Sequence, residues 1–499
     1  MSIFESIKRL FKNSVIYGIG HILSRFINFL LLPLYTHVLP REEYGMVGIF
    51  FTYIAILSII YTYGLSSAFF RFYLAKEDRT EKNRVFSTAF VALVLTSTIF
   101  SAVLILFAHP LSQIIFSSSI QDSNISLSFI IRMAAVILFF DAISLLGFLV
   151  LLSKEKSILY AFLKLSFVLV NVGCNIVFVI VLKMGVEGIF LANGIASCFS
   201  MLTVLPVMLK HLRRVFSPGL FKELLAFGLP YIVVNASVIV MDTIDRPLLE
   251  RLASIEEAGL FNAGVKLGMF MAIFVSAFRF AWFPFFMTHA KDDNAKITFS
   301  KIFTYVLFIC SSVFLLISFY IDQIVRFKIF GRSIVGSEFW DSTVVVPVIL
   351  VAYIFYAVYI NFLIGIYLKK KTIYLSYITA AGMLGNILLN LLLIPTVGIM
   401  GSAWSRLGAY MIMAVSVYFV SRRLYPIRYE WKRLFKLIGL VTIIFFAGFR
   451  TPVQLRFLLV LGLPVTLWLI RFWHVEEIQK VRQGFAGLFV HFTSRNARS

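Results

Sequence analysis

Arg25 stands near the middle of a long apolar run, where Gly18, His21, Arg25 and Asn28 recur at the three- and four-residue steps of one helix face. A charge at the centre of a bilayer costs about 2.5–3.5 kcal/mol on insertion scales, so such a residue turns toward a cavity or a partner. The chain repeats this theme. Tyr231, Asn235, Asp242 and Asp245 share a face, followed by Arg246, which can pair with Asp242 four residues back. Lys164 shares a face with Asn171 and Asn175, while Asp141 and Arg406 each stand inside apolar runs. Lys266 and Arg279 occupy one run but lie about 140° apart around its axis, so a straight helix cannot aim both into one cavity. Guanidinium and ammonium groups make charge-assisted bonds to phosphate and carboxylate, which makes Arg25, Lys266, Arg279 and Arg406 candidates for an anion path. Asp141, Asp242, Asp245, Arg246 and His21 are candidates for ion or proton coupling, or for structural counter-charge. Asn28, Asn235 and Lys164 are candidates for polar cavity lining. Plainer readings stand beside these: an interfacial ion cluster for Asp242, Asp245 and Arg246, a carbonyl partner for Lys164, and a packing role for His21. The paired asparagines read as helix–helix hydrogen bonds. No catalytic constellation, metal-ligand spacing or Walker A sequence is present, so no enzyme activity, metal, cofactor or direct use of ATP is expected.

The elements that must position these residues are membrane helices. With 60% hydrophobic and 14% charged residues and a mean hydropathy of +0.93, a soluble fold is excluded. Hydropathy gives about fourteen spans, near 14–38, 45–70, 86–108, 127–152, 158–182, 186–209, 223–246, 262–288, 302–321, 343–368, 373–394, 399–420, 434–450 and 455–474. The 46 Lys and Arg against 24 Asp and Glu give a net charge of +22. Most of these bases fall in the termini and in loops after even-numbered spans, such as Arg71–Arg84, Lys210–Lys222 and Lys369–Lys371. Such loops stay cytoplasmic, which places both termini on the cytoplasmic side of a bacterial or archaeal cytoplasmic membrane and explains the charge without nucleic acid. Cys174, Cys198 and Cys310 fall in apolar spans and read as small buried residues. The connections on the other side are too short for an independent catalytic domain.

An internal repeat runs at an offset near 214. Arg41-Glu42-Glu43-Tyr44-Gly45 returns as Ile255-Glu256-Glu257-Ala258-Gly259, and Asn171-x3-Asn175 as Asn386-x3-Asn390. Gly185-Val186-Glu187-Gly188 returns as Gly398-Ile399-Met400-Gly401. Six spans separate the copies, so both halves have one orientation and relate by an axis along the membrane normal. The expected fold is an all-α polytopic membrane protein with two pseudo-symmetric six-helix lobes, 1–212 and 213–424. Two extra helices and a cytoplasmic tail follow in 425–499. The charges are not repeated: Arg25 maps onto Ile239, and Asp245 onto Leu31. That asymmetry is expected if they serve one asymmetric path.

Leu23-Ser24-Arg25-Phe26, Leu32-Pro33-Leu34-Tyr35-Thr36 and Leu39-Pro40-Arg41-Glu42-Glu43-Tyr44-Gly45 resemble the opening of Wzx-like polysaccharide flippases. These form the polysaccharide transport branch of the MOP superfamily, related to MurJ and the MATE exporters. Asp245-Arg246, Glu256 to Phe261, Lys266-Leu267-Gly268 and Trp282-x-Pro284-Phe285 are similar to the opening of that family's second half. Phe261 stands where the family usually shows Tyr, and Arg41 where a small or polar residue is common. The resemblance implies alternating-access transfer of an undecaprenyl-pyrophosphate-linked oligosaccharide from the cytoplasmic to the periplasmic leaflet. H+ or Na+ or the membrane potential would drive it, with bilayer lipids and glycan polymerases or glycosyltransferases as partners. The alternatives are a lipid II-type or MATE-like exporter and, from another class, a membrane glycan polymerase or glycosyltransferase.

Overall fold

Backbone amides in hydrocarbon have no water to bond, so apolar runs of this length fold as helices. The computed structural model describes residues 29, 31–115, 118–121, 125–329 and 331–473, with only the backbone of 118 and 119. Among these are eleven helices long and apolar enough to cross a membrane. Of the expected first span, 14–38, residues 14–28 and 30 lie outside the described residues, and 31–38 are helical. The expected last two are helices of 20 and 17 residues outside those eleven, the second apolar but shorter. Lys432, Arg433, Lys436 and Arg450 at the ends of the first of these shorten its apolar stretch.

The order is α1 (Arg41–Thr62), α2 (Leu65–Ala75), α3 (Arg79–Leu106), α4 (Leu127–Ser153), α5 (Ser157–Asn175), α6 (Gly185–Leu209), α7 (Pro218–Thr243) and α8 (Asp245–Leu252). It continues with α9 (Ile255–His289), α10 (Ala295–Arg326), α11 (Val346–Phe362), α12 (Ile373–Val397), α13 (Ile399–Leu424), α14 (Trp431–Arg450) and α15 (Val453–Leu469). Asp78 starts α3 by accepting from the amides of Thr80 (2.9 Å) and Glu81 (3.1 Å). Ser254 starts α9 through the Glu257 amide at 3.2 Å. The second expected span is broken: Tyr63 and Gly64 both have positive φ, and α2 starts a new helix. At Gly64 a side chain would overlap the backbone of Gly228, so the sharp turn and the close approach of α7 both require glycine. The connection near 322–342 holds a two-residue hairpin, Lys328–Ile329 with Arg332–Ser333, and a 3-10 turn over Ser337–Val345.

The chain divides into two compact units, residues 1–292 with 322–426, and residues 293–321 with 427–499. In the smaller unit, Glu430 accepts from Thr304 (2.7 Å) and from Arg433 (2.8 Å), and Phe314 meets Phe445 at 5.0 Å. In the larger unit α4 packs on α6 and α3, α12 and α11 on α13, and α1 on α9. The repeated motifs meet here. A methyl group on Gly45 would overlap the Ile255 carbonyl oxygen, and one on Gly259 the Arg41 carbonyl oxygen. Equivalent glycines therefore let α1 and α9 cross backbone to backbone. The paired asparagines also match: the Asn175 amide donates to the Asn171 carbonyl (2.8 Å), and that of Asn390 to the Asn386 carbonyl (2.9 Å).

At the basic-loop end, between α4 and α6, His211 is buried with Nδ1 donating to the Val207 carbonyl (2.9 Å). Its Nε2 then accepts from the Lys154 ammonium at 2.5 Å. Burial pushes His211 below the ordinary imidazole range, and the cations Lys154, Arg79 and Arg213 add to this against the opposing Val207 bond. Below that range the unfolded chain binds more protons than the folded one, so stability falls with pH from about 6.5 downward. Melting curves taken between about pH 7.5 and 5.5 are expected to show this loss, and His211→Gln is expected to flatten it.

Candidate functional site

The larger unit holds a partly open cavity of about 750 Å³. Ser58 and Thr62 of α1 line one wall, and Asn235 and Asp242 of α7, Arg279 of α9, Arg406 of α13 and a group of tyrosines line the rest. The lining runs from Asp242 and Tyr353 to Tyr367, two residues before the Lys369–Lys371 loop. At the opposite end the helices meet closely. There the Gly45–Gly259 crossing is joined by a Thr36–Gly336 hydrogen bond (3.1 Å) and an exposed Arg41–Asp341 ion pair (3.0 Å).

The four cations expected on an anion path fare differently. Arg25 lies outside the described residues, as do His21 and Asn28. Arg406 is 1% exposed and forms an ion pair with Asp245, itself 0% exposed. It also donates to the Asp242 backbone oxygen at 3.0 Å. Asp245 receives a further bond from Asn390 (3.0 Å), whose own oxygen accepts from Ser402 (2.9 Å). Arg406 is therefore largely spent on internal neutralisation, although its side chain reaches the cavity wall. Lys266 is half-buried under two phenol rings, 5.4 Å from the centroids of Tyr35 and Tyr44, and is held by cation–π attraction. Arg279 is exposed to the cavity and donates to the Tyr356 hydroxyl at 3.2 Å. Among the described residues, no carboxylate lies within ion-pair distance of Lys266 or Arg279. The two sit on α9 as its 100° step requires, one toward Tyr35 and Tyr44, the other into the cavity.

The acidic and polar candidates also separate. Arg246 donates to the Asp242 backbone oxygen (3.0 Å) and to Asn262 Oδ1 (3.1 Å), so its four-residue partner is the Asp242 carbonyl and not its carboxylate. The Asp242 carboxylate instead accepts from Tyr410 at 2.9 Å. Asn235 is exposed on the cavity wall. Asp141 is exposed in the middle of α4, within electrostatic reach of Ser197 and Lys164. The Lys164 ammonium stands 3.9 Å from the Phe148 ring centroid. These two lie away from the cavity lining.

Sequence reasoning missed the tyrosines. Tyr353, Tyr356, Tyr359 and Tyr410 surround Arg279 and Arg406, and the three-residue steps of the first three were the available signal. It also missed Asn262 and Ser402, which hold Arg246 and Asn390.

The sequence profile of the polysaccharide biosynthesis protein family matches residues 10–290. The chain belongs to that family. An Lsg locus protein of Haemophilus influenzae is 25% identical to it over 372 residues, 70% of this chain and 85% of that protein. Among solved structures, the lipid II flippase MurJ in an inward closed conformation superposes with a TM-score of 0.71 at 14% identity, covering 91% of this chain and 97% of MurJ. An inward-facing MATE multidrug transporter of the MOP superfamily gives 0.64 at 13% identity, covering 80% and 94%. At these identities the likeness is one of fold. The chain is a multi-pass membrane protein that shares the fold of MurJ and of the MATE transporter, and the Wzx-like resemblance agrees with its family.

Proposed function

We propose that the protein carries an undecaprenyl-pyrophosphate-linked oligosaccharide from the cytoplasmic to the outer leaflet of a prokaryotic cytoplasmic membrane by alternating access. The observation that carries this reading is Arg279, a guanidinium without a carboxylate partner, facing a tyrosine-lined cavity. A glycan dragged through hydrocarbon would leave each hydroxyl unpaired at about 1–3 kcal/mol, and a polar cavity supplies partners. Arg279 takes the pyrophosphate, with Arg25 and Lys266 extending the positive field. With the basic loops and both termini cytoplasmic, the cavity leans toward the side where lipid-linked glycans are assembled. The closely packed opposite end would then have to open for release. The two repeat-related lobes, 1–212 and 213–424, are the bodies that rock.

Coupling falls on Asp141 in this reading. Asp245 is already neutralised by Arg406 and Asp242 is bonded by Tyr410 in the cavity wall, whereas Asp141 is an exposed mid-span carboxylate whose neighbours are the Ser197 hydroxyl and the Lys164 ammonium. A proton or sodium ion bound there would be worth about 2.3 kcal/mol per 100 mV if it crossed the full potential. Glycosyltransferases would supply the cargo and a polymerase would consume it. A MATE-like exporter of small cations is the second reading. It is disfavoured by the unpaired guanidinium of Arg279 in the cavity wall, where Asp242, the carboxylate among the described lining residues, is bonded by Tyr410.

Reconstituted flipping of a lipid-linked glycan tests the proposal. Arg279→Gln is expected to slow transfer by roughly 10- to 100-fold, the worth of one charge-assisted hydrogen bond. Unchanged transfer would remove Arg279 from the path, and no transfer by the unaltered protein would remove the function.

A further inference from the structure

Five tyrosines face the cavity. Tyr353, Tyr356, Tyr359 and Tyr367 come from one continuous helical stretch, and Tyr410 from α13 across from them. With Ile360 and Leu363 they step at helical intervals, forming a stripe about 21 Å long between Tyr353 and Tyr367. Tyr356 stacks on Tyr359 with centroids 6.1 Å apart and planes 18° apart, and it meets Tyr410 at 5.1 Å. The Tyr367 ring is fixed edge-on by Phe283 at 4.9 Å and 87°. Four of the hydroxyls divide into two sets. Those of Tyr356 and Tyr410 are engaged by Arg279 and Asp242. Those of Tyr359 and Tyr367 line the cavity without a hydrogen-bond partner among the described residues.

A phenol combines a rigid apolar face with a polar tip. A pyranose is its complement, with a face of C–H bonds and a rim of hydroxyls. A path for a prenyl chain has no use for the two open hydroxyls, and a path for phosphate alone would be lined with cations. A small cation would call for carboxylates. We infer that the tyrosine stripe is a stacking track for uncharged pyranose rings, on which the sugars next to the pyrophosphate lie while Arg279 holds the phosphate. Tyr359 and Tyr367 are the residues that distinguish a sugar-bearing lipid from a bare one. This rests on the flippase reading above and adds to it the identity of the sugar-contacting surface and the class of sugar it accepts.

Two probes separate the claims: undecaprenyl pyrophosphate, and the same lipid carrying one N-acetylglucosamine. Both are titrated against the full chain in detergent and followed by native mass spectrometry. The unaltered protein is expected to prefer the sugar-bearing probe. Tyr359→Leu and Tyr367→Leu are each expected to reduce that preference, read as the ratio of the two affinities, about two- to tenfold. Tyr359→Phe and Tyr367→Phe keep the rings, so they lose only the hydroxyls' part of the preference. A preference unchanged in the double leucine variant would overturn the inference, as would equal binding of both probes by the unaltered protein. So would equal loss of both probes in the leucine and phenylalanine variants alike. Failure of the unaltered protein to bind either probe would overturn the flippase reading itself.

Discussion

Arg406→Ala is expected to destabilise the protein by about 3–5 kcal/mol, because it leaves the Asp245 carboxylate buried and unpaired. The hydrogen bond from Asn390 cannot replace the lost charge. Truncating either ion is costly, whereas removing both together need not be. The double variant Asp245→Asn with Arg406→Met is therefore expected to recover most of the loss, with a melting temperature in detergent close to that of the unaltered protein. A single Arg406→Ala variant that melts like the unaltered protein would show that Asp245 is not held charged by Arg406. The pair also bears on coupling. A carboxylate that already holds a guanidinium is a poor acceptor for a travelling proton or cation, so removing both charges is expected to leave any dependence of flipping on an ion gradient intact.

Gly259→Val is expected to open the end of the protein opposite the basic loops. The added carbon would collide with the Arg41 carbonyl oxygen, a backbone atom that cannot swing away as a side chain could. Overpacking of this kind costs roughly 1–3 kcal/mol, which corresponds to a shift of about 5- to 150-fold in a two-state balance. The burden falls on the closed state, since that is where α1 and α9 touch. A single cysteine placed at Thr36, which is buried and bonded to Gly336, reports the change once Cys174, Cys198 and Cys310 are replaced. Its labelling by a membrane-impermeant maleimide is expected to accelerate in Gly259→Val, and flipping is expected to fall because the closed end no longer forms. Gly45→Val should behave alike, since its added carbon meets the equivalent Ile255 carbonyl from the other helix. Equal labelling rates in both variants and the unaltered protein would show that the crossing does not hold this end shut.

The sequence carried the membrane helices, because a run of apolar residues has one stable backbone in lipid whatever lies beside it. It carried the repeat as well. Gly45 with Gly259 and Asn175 with Asn390 were visible as recurring letters, and each pair makes equivalent contacts. The break at Tyr63–Gly64 was not visible, since glycine in an apolar run reads as a tolerated helix residue until Gly228 is known to press against it. The polar positions were legible as a set of charges out of place in hydrocarbon, but not as a division of roles. Asp245 and Arg406 are 161 residues apart, and only the packing of α8 between α12 and α13 brings them together. That contact withdraws Arg406 from the ligand path and leaves Arg279 on it. Four tyrosines on one stretch and one on another became a lined wall by the same route. Helical period is a local property and can be read along a chain. Which charge is neutralised, and by what, depends on distances between helices, and those were decided by tertiary packing alone.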